Sequence, residues 1–115
     1  MIAEIGTIII FTAHIDKLAK YYEKCLSLGA PTSNTENHIG YSLGSIYFGF
    51  DQKDVMKEAS GSVTLWFRVD DIDATFQSFV KYGGTEVYQP HKKPWGATIA
   101  AVKDLDGNLV GLEQR

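Results

Sequence analysis

The sequence predicts an α+β fold made of two repeated βαβββ modules. Three observations carry the prediction. Two β-branched or alternating apolar segments, Glu4–Thr12 and Val63–Val69, each run into an amphipathic helical stripe. Each stripe is followed by glycine- and aromatic-rich stretches that read as short strands. An offset of 55 residues brings Asp16 onto Asp71, Ala19 onto Ala74 and Gly29 onto Gly84, with Phe11 on Trp66 and Asp51 on Asp106.

The elements follow in order. Glu4 to Thr12 is β-branched and continuous and reads as a buried strand. Leu18, Tyr21, Tyr22, Cys25 and Leu26 recur at helical spacing. Asp16 favours the first turn, and Gly29 and Pro31 stop the helix. Asn34 to Asp51, broken by Gly40, Gly44 and Gly49, forms two or three strands. Gln52 to Gly61 is polar and reads as a linker. Asp70 or Asp71 caps a second helix whose stripe is Ile72, Phe76, Phe79 and Val80, ended by Gly83-Gly84. Thr85–Gln89, Ala97–Lys103 and Leu109–Glu113 complete the second half, with a turn at Asp106-Gly107-Asn108. The expected organisation is one domain over 1–115, with module 1 at about 1–51, a linker at 52–61 and module 2 at about 62–115.

Composition narrows the function. The chain has 115 residues, 44% apolar and 22% charged, enough for one real core. Its net charge of −3 argues against a nucleic-acid partner and for neutral or cationic ones. A single cysteine, Cys25, excludes an internal disulfide and a cysteine-cluster metal site. No apolar run approaches the length of a membrane span, and the start lacks the basic region of a signal peptide. A cytoplasmic protein with no membrane partner is the expectation.

The helix Ala19-Lys-Tyr-Tyr-Glu-Lys-Cys-Leu26, the junction Val69-Asp70-Asp71, Gly83-Gly84, and the run Trp95-Gly96, Asp104-Leu-Asp-Gly-Asn108 and Leu112-Glu-Gln114 together resemble the vicinal oxygen chelate superfamily. This group includes glyoxalase I, extradiol dioxygenases and the bleomycin-resistance proteins. Leu105 stands where the family pattern usually has proline. The resemblance implies a curled sheet in each module, helices on the convex side and a concave cup, most often in a homodimer.

Metal-using members hold a divalent ion with His, Glu or Gln from four strand positions. By motif these fall on Thr7 or Ile9, on Tyr47 with Phe48 as the alternative, on Thr64 and on Gly111. None is a normal ligand for such an ion, so the expectation is no metal and no cofactor. His14, His38 and His91 show no metal-pair spacing and read as solvated or capping residues. Cys25 lies on a helix stripe and reads as core.

Strand alternation assigns faces. Val63, Leu65, Phe67 and Val69 face the helix, so Thr64, Trp66 and Arg68 face the cup. The 55-residue offset puts Ile9 and Phe11 in the cup, and parity along the other strands adds Tyr47, Gly49, Leu109, Gly111 and Glu113. Trp95 sits on a Pro-Trp-Gly turn at the expected mouth. The ligand-binding candidates are therefore Phe11, Tyr47, Trp66, Arg68, Trp95 and Glu113. Aromatic walls with a few polar anchors suit a small planar neutral or cationic molecule. The expected function is sequestration of such a small-molecule ligand without catalysis. The alternatives are a metal-dependent lyase, isomerase or dioxygenase with displaced ligands, and an accessory protein with a vestigial cup.

Overall fold

The computed structural model describes residues 5, 7–52 and 64–114. The chain divides into two compact units, Met1–Ala59 and Ser60–Arg115. Each is a βαβββ module. The first comprises β1 (Thr7–Thr12), α1 (Ile15–Leu26), β2 (Ser33–Asn34), β3 (His38–Leu43) and β4 (Ile46–Gln52). The second comprises β5 (Leu65–Arg68), α2 (Ile72–Lys81), β6 (Thr85–Lys92), β7 (Thr98–Lys103) and β8 (Leu109–Gln114). The strand orders are the same, β1-β4-β3-β2 and β5-β8-β7-β6. In both, the strand before the helix pairs in parallel with the last strand, and the remaining pairs are antiparallel.

Period-two alternation builds a dry face in each sheet. In the first module Phe48 and Phe50 of β4 and Ile39 and Tyr41 of β3 are buried. The Tyr22 ring of α1 lies 5.6 Å from Phe48 and 5.3 Å from Phe50, centroid to centroid. Helical spacing brings Ile15, Leu18, Ala19, Tyr22 and Cys25 of α1 into this core. The Tyr41 hydroxyl donates to Glu23 Oε2 at 2.6 Å, tying helix to sheet. Burial, then that hydrogen bond and charge, push the Tyr41 phenol upward, so it stays protonated. Burial likewise pushes the Cys25 thiol up to about 12, against a small opposing effect of Lys24. In the second module Ile72, Phe76 and Phe79 of α2 meet Ala100, Val102, Val110 and Leu112 as the buried set.

Several sequence expectations need correction. The helix starts align at an offset of 57, not 55: His14 and Asp71 occupy the two N-cap positions, and buried Ile15, Ala19 and Tyr22 correspond to Ile72, Phe76 and Phe79. Asp71 accepts the Ala74 N–H at 3.1 Å, whereas His14 makes no side-chain cap. The identities at offset 55 misled because Ala19 is buried and Ala74 is exposed. Strand β1 lies at the edge of its sheet, so only Thr12 is fully buried there. Helix α1 ends earlier than Gly29, on Ser27 in the left-handed conformation. Val80 points away from the core, and β6 runs on to Lys92, which places His91 in a strand rather than a loop. Gln52 closes β4; the rest of the expected linker, 53–61, lies outside the described residues.

Candidate functional site

The face of each sheet opposite its helix carries the polar and exposed aromatic residues. In the first sheet, register puts Thr7, Tyr47 and Ser42 in one row, Ile9, Gly49 and Gly40 in the next, and Phe11, Asp51 and His38 in the third. In the second, Trp66, Gly111, Ala101 and Tyr88 share a row, followed by Arg68, Glu113, Ile99 and His91.

The middle row of each sheet is cleared by glycine. A Cβ on Gly111 would stand 2.3 Å from Trp66 Cδ2, so the indole lies flat across bare backbone. Trp66 nonetheless keeps 50% of its surface exposed. Beside it Arg68 and Glu113 form a loose ion pair, 3.9 Å from Nη2 to Oε1. In the first sheet a Cβ on Gly40 would stand 1.7 Å from Tyr47 Oη. The Tyr47 ring thus crosses Gly40 and reaches His38, whose Nε2 is 2.5 Å from the hydroxyl. His38 Nδ1 is 2.5 Å from Asp51 Oδ1, and the His38 and Tyr47 rings are nearly parallel, 8° apart.

Of the six candidates, Phe11 and Tyr47 fall on one sheet face and Trp66, Arg68 and Glu113 on the other module's corresponding face. Trp95 is 70% exposed on the β6–β7 turn, with Lys93 Nζ 5.9 Å above its ring; it is not brought into the Trp66 row. Sequence reasoning missed His38, Asp51, Tyr88 and His91 as members of these faces. The first pair had a readable signal. A tight hairpin at Gly44-Ser45 pairs Leu43 with Ile46, and counting outward pairs His38 with Asp51.

On the 57-residue alignment, the first of the positions that the resemblance implies falls on Thr7, in register with Tyr47. The four positions then supply two threonine hydroxyls, a phenol already bonded to His38, and a glycine covered by an indole. This donor set does not fit a divalent cation, which needs imidazole or carboxylate groups converging on one point. Among the described residues, no group of three or more His, Cys, Asp or Glu is placed to hold a metal ion. Nor is any described helix long and apolar enough to cross a membrane.

Sheet order, repeated modules and the glycine-floored faces are those of a glyoxalase-type fold. The chain matches the Glyoxalase/Bleomycin resistance protein/Dioxygenase superfamily over residues 4–112, and it belongs to that superfamily. It is 29% identical to the uncharacterized protein YraH of Bacillus subtilis, over 82% of this chain and 84% of that one. Among solved structures it is similar to a glyoxalase/bleomycin resistance protein/dioxygenase family enzyme from Burkholderia phytofirmans (TM-score 0.85, 18% identity, 97% of this chain and 98% of that chain). It is also similar to a lactoylglutathione lyase from Agrobacterium tumefaciens (TM-score 0.74, 13% identity, 99% and 95%). At such identities the likeness shows the fold alone, since one fold hosts many chemistries.

Proposed function

We propose that this chain is a metal-free small-molecule-binding protein of the superfamily, which holds a planar neutral or cationic ligand against Trp66. One observation carries the reading. The place that the resemblance gives to the family's fourth ligand side chain is occupied by an indole that lies on Gly111 and stays half exposed. Aromatic faces hold flat molecules by stacking and cations through the ring quadrupole. The Arg68–Glu113 pair supplies a donor and an acceptor beside the ring. In this reading a second copy of the chain completes the binding surface.

The test is a fluorescence and calorimetric titration against a panel of flat neutral and cationic aromatic compounds. Wild type is expected to bind some of them with quenching. Trp66→Ala should weaken binding by roughly ten- to a hundred-fold, the scale of about 1–3 kcal/mol for an aromatic hot spot. Equal binding by both proteins, or no binding by either, overturns the reading. Separately, protein incubated with zinc, nickel, manganese or iron(II) and desalted should retain well under one ion per chain. Stoichiometric retention would favour a metal-dependent enzyme. Sedimentation should show a homodimer, and a concentration-independent monomer would count against pairing.

A further inference from the structure

We propose that Asp51, His38 and Tyr47 form a proton-accepting relay, and that Tyr47 Oη receives the acidic hydroxyl of a small phenolic or enolic molecule. This goes beyond ligand stacking on Trp66 and uses a different sheet. Carboxylate has no proton to give, so the imidazole N–H sits on Nδ1 and donates to Asp51 Oδ1 at 2.5 Å. Nε2 is then a lone pair, and the Tyr47 hydroxyl donates to it, also at 2.5 Å. Tyrosine has a single hydroxyl proton. Once that is committed to His38, the phenol oxygen offers an incoming molecule only acceptor capacity.

The surroundings support a ligand that combines a donor with an apolar body. Ile9 and Phe11 share the face, and Phe11 is 58% exposed. Apart from the relay, the described part of this sheet face holds only hydroxyl-bearing, apolar and glycine residues. Helix α1 packs on the opposite face, and Glu36, the nearest other acid along the chain, is exposed in the β2–β3 turn. The relay is also built into the floor. A Cβ on Gly49 would stand 3.1 Å from His38 Cε1 and 3.2 Å from Tyr47 Cε2, and Gly40 admits no Cβ under the phenol. A histidine that needed only Asp51 as partner would require neither glycine nor tyrosine.

The step balances as a proton transfer. The ligand O–H bond breaks and its proton joins Tyr47 Oη. The original Tyr47 proton moves to His38 Nε2, and the electron pair stays on the ligand oxygen. The products are an imidazolium paired with the Asp51 carboxylate and a ligand oxyanion accepting from the Tyr47 hydroxyl. No oxidant, metal or second reactant enters.

The experiment uses p-nitrophenol, whose phenolate has its own absorption band, with the full chain at a pH where the free probe is mostly neutral. The bound probe should show a phenolate-to-phenol ratio about tenfold above the free probe, which corresponds to one pKa unit. Tyr47→Phe and His38→Gln, each checked for native circular dichroism, should return that ratio to the free value. Gly40→Ala tests the same point without removing a polar atom, because it displaces Tyr47 from His38. The variants are also made in a Trp66→Ala background, which removes any probe held at the stacking platform; the Tyr47-dependent phenolate excess should persist there, which separates the two sites. The proposal is overturned if the probe does not bind or binds as the neutral phenol. It is equally overturned if the folded relay variants keep the phenolate signal, or if Trp66→Ala abolishes it.

Discussion

Each module carries a carboxylate at the same node of its sheet. Asp51 stands two residues beyond Gly49 in β4, and Glu113 stands two residues beyond Gly111 in β8. Their partners come from opposite sides. In the first sheet β1 offers Phe11 and β3 offers His38, so the acid pairs with a histidine on its antiparallel neighbour. In the second, β5 offers Arg68 and β7 offers Ile99, so the acid pairs with an arginine on its parallel neighbour. One backbone plan therefore holds two different electrostatic devices. The first is a part-buried hydrogen-bonded chain. The second is a fixed-charge pair, its arginine largely exposed, beside an aromatic platform.

The difference extends to the turns, and here the largest effect is expected. The β7–β8 loop is organised by Asp104, buried, whose carboxylate accepts from Asp106 N, Asn108 N and Asn108 Nδ2, each at 2.9 Å. The β3–β4 turn uses Gly44 at φ 63°. Asp104→Ala should cost about 2–3 kcal/mol, because three orphaned donors lose a charged acceptor. Gly44→Ala should cost about 1 kcal/mol, since only the backbone conformation is opposed. Urea denaturation of both variants measures the contrast. Equal losses would mean that the Asp104 network contributes no more than a turn glycine.

Cys25 sharpens the comparison of the two cores, because only α1 carries a titratable thiol in its apolar stripe. Burial raises its pKa from 9.0 to about 12. Folding therefore favours the protonated thiol, and the unfolded chain releases its proton first as pH rises. The resulting stability is fully present below about pH 9 and is lost between pH 9 and pH 12. Tyr41 acts in the same direction. Native protein should resist alkylation by iodoacetamide at neutral pH and react at once in urea. Cys25→Ala should flatten the alkaline fall in stability; an unchanged fall would assign it to Tyr41 and other groups.

Much of this architecture was legible because β-structure reads in steps of two. An offset of 55 differs from the structural one by two residues, and a shift of two preserves parity, so the faces expected for Ile9, Phe11, Tyr47, Gly49, Trp66, Arg68, Gly111 and Glu113 agree with the register; Val63 lies outside the described residues. The same insensitivity hid the correct alignment until the caps at His14 and Asp71 fixed it. His38 and Asp51 went unseen for a different reason. Their meeting depends on a hairpin register set at Gly44, while each residue alone has an ordinary local context. Trp66 was placed on the correct face, but alternation does not reveal that Gly111 lets the indole lie flat.

The smallest expected effect concerns the two ion pairs themselves. Arg68 is largely exposed and its 3.9 Å contact with Glu113 is long, so solvent screens most of the attraction. Arg68→Gln should change stability by less than about 0.5 kcal/mol, at the lower end of exposed pairs. Asp51→Asn should cost more, about 1 kcal/mol, because a charge-assisted hydrogen bond to a part-buried histidine becomes a neutral one. The asymmetry should depend on salt in a characteristic way. Raising ionic strength shortens the screening length, which erases what little the Arg68 pair contributes while leaving the short His38–Asp51 hydrogen bond nearly intact. Denaturation of both variants at low and high salt measures this. If Arg68→Gln proves as costly as Asp51→Asn and equally insensitive to salt, the second sheet's pair is a structural tie rather than an exposed anchor, and the two modules are less different than their partners suggest.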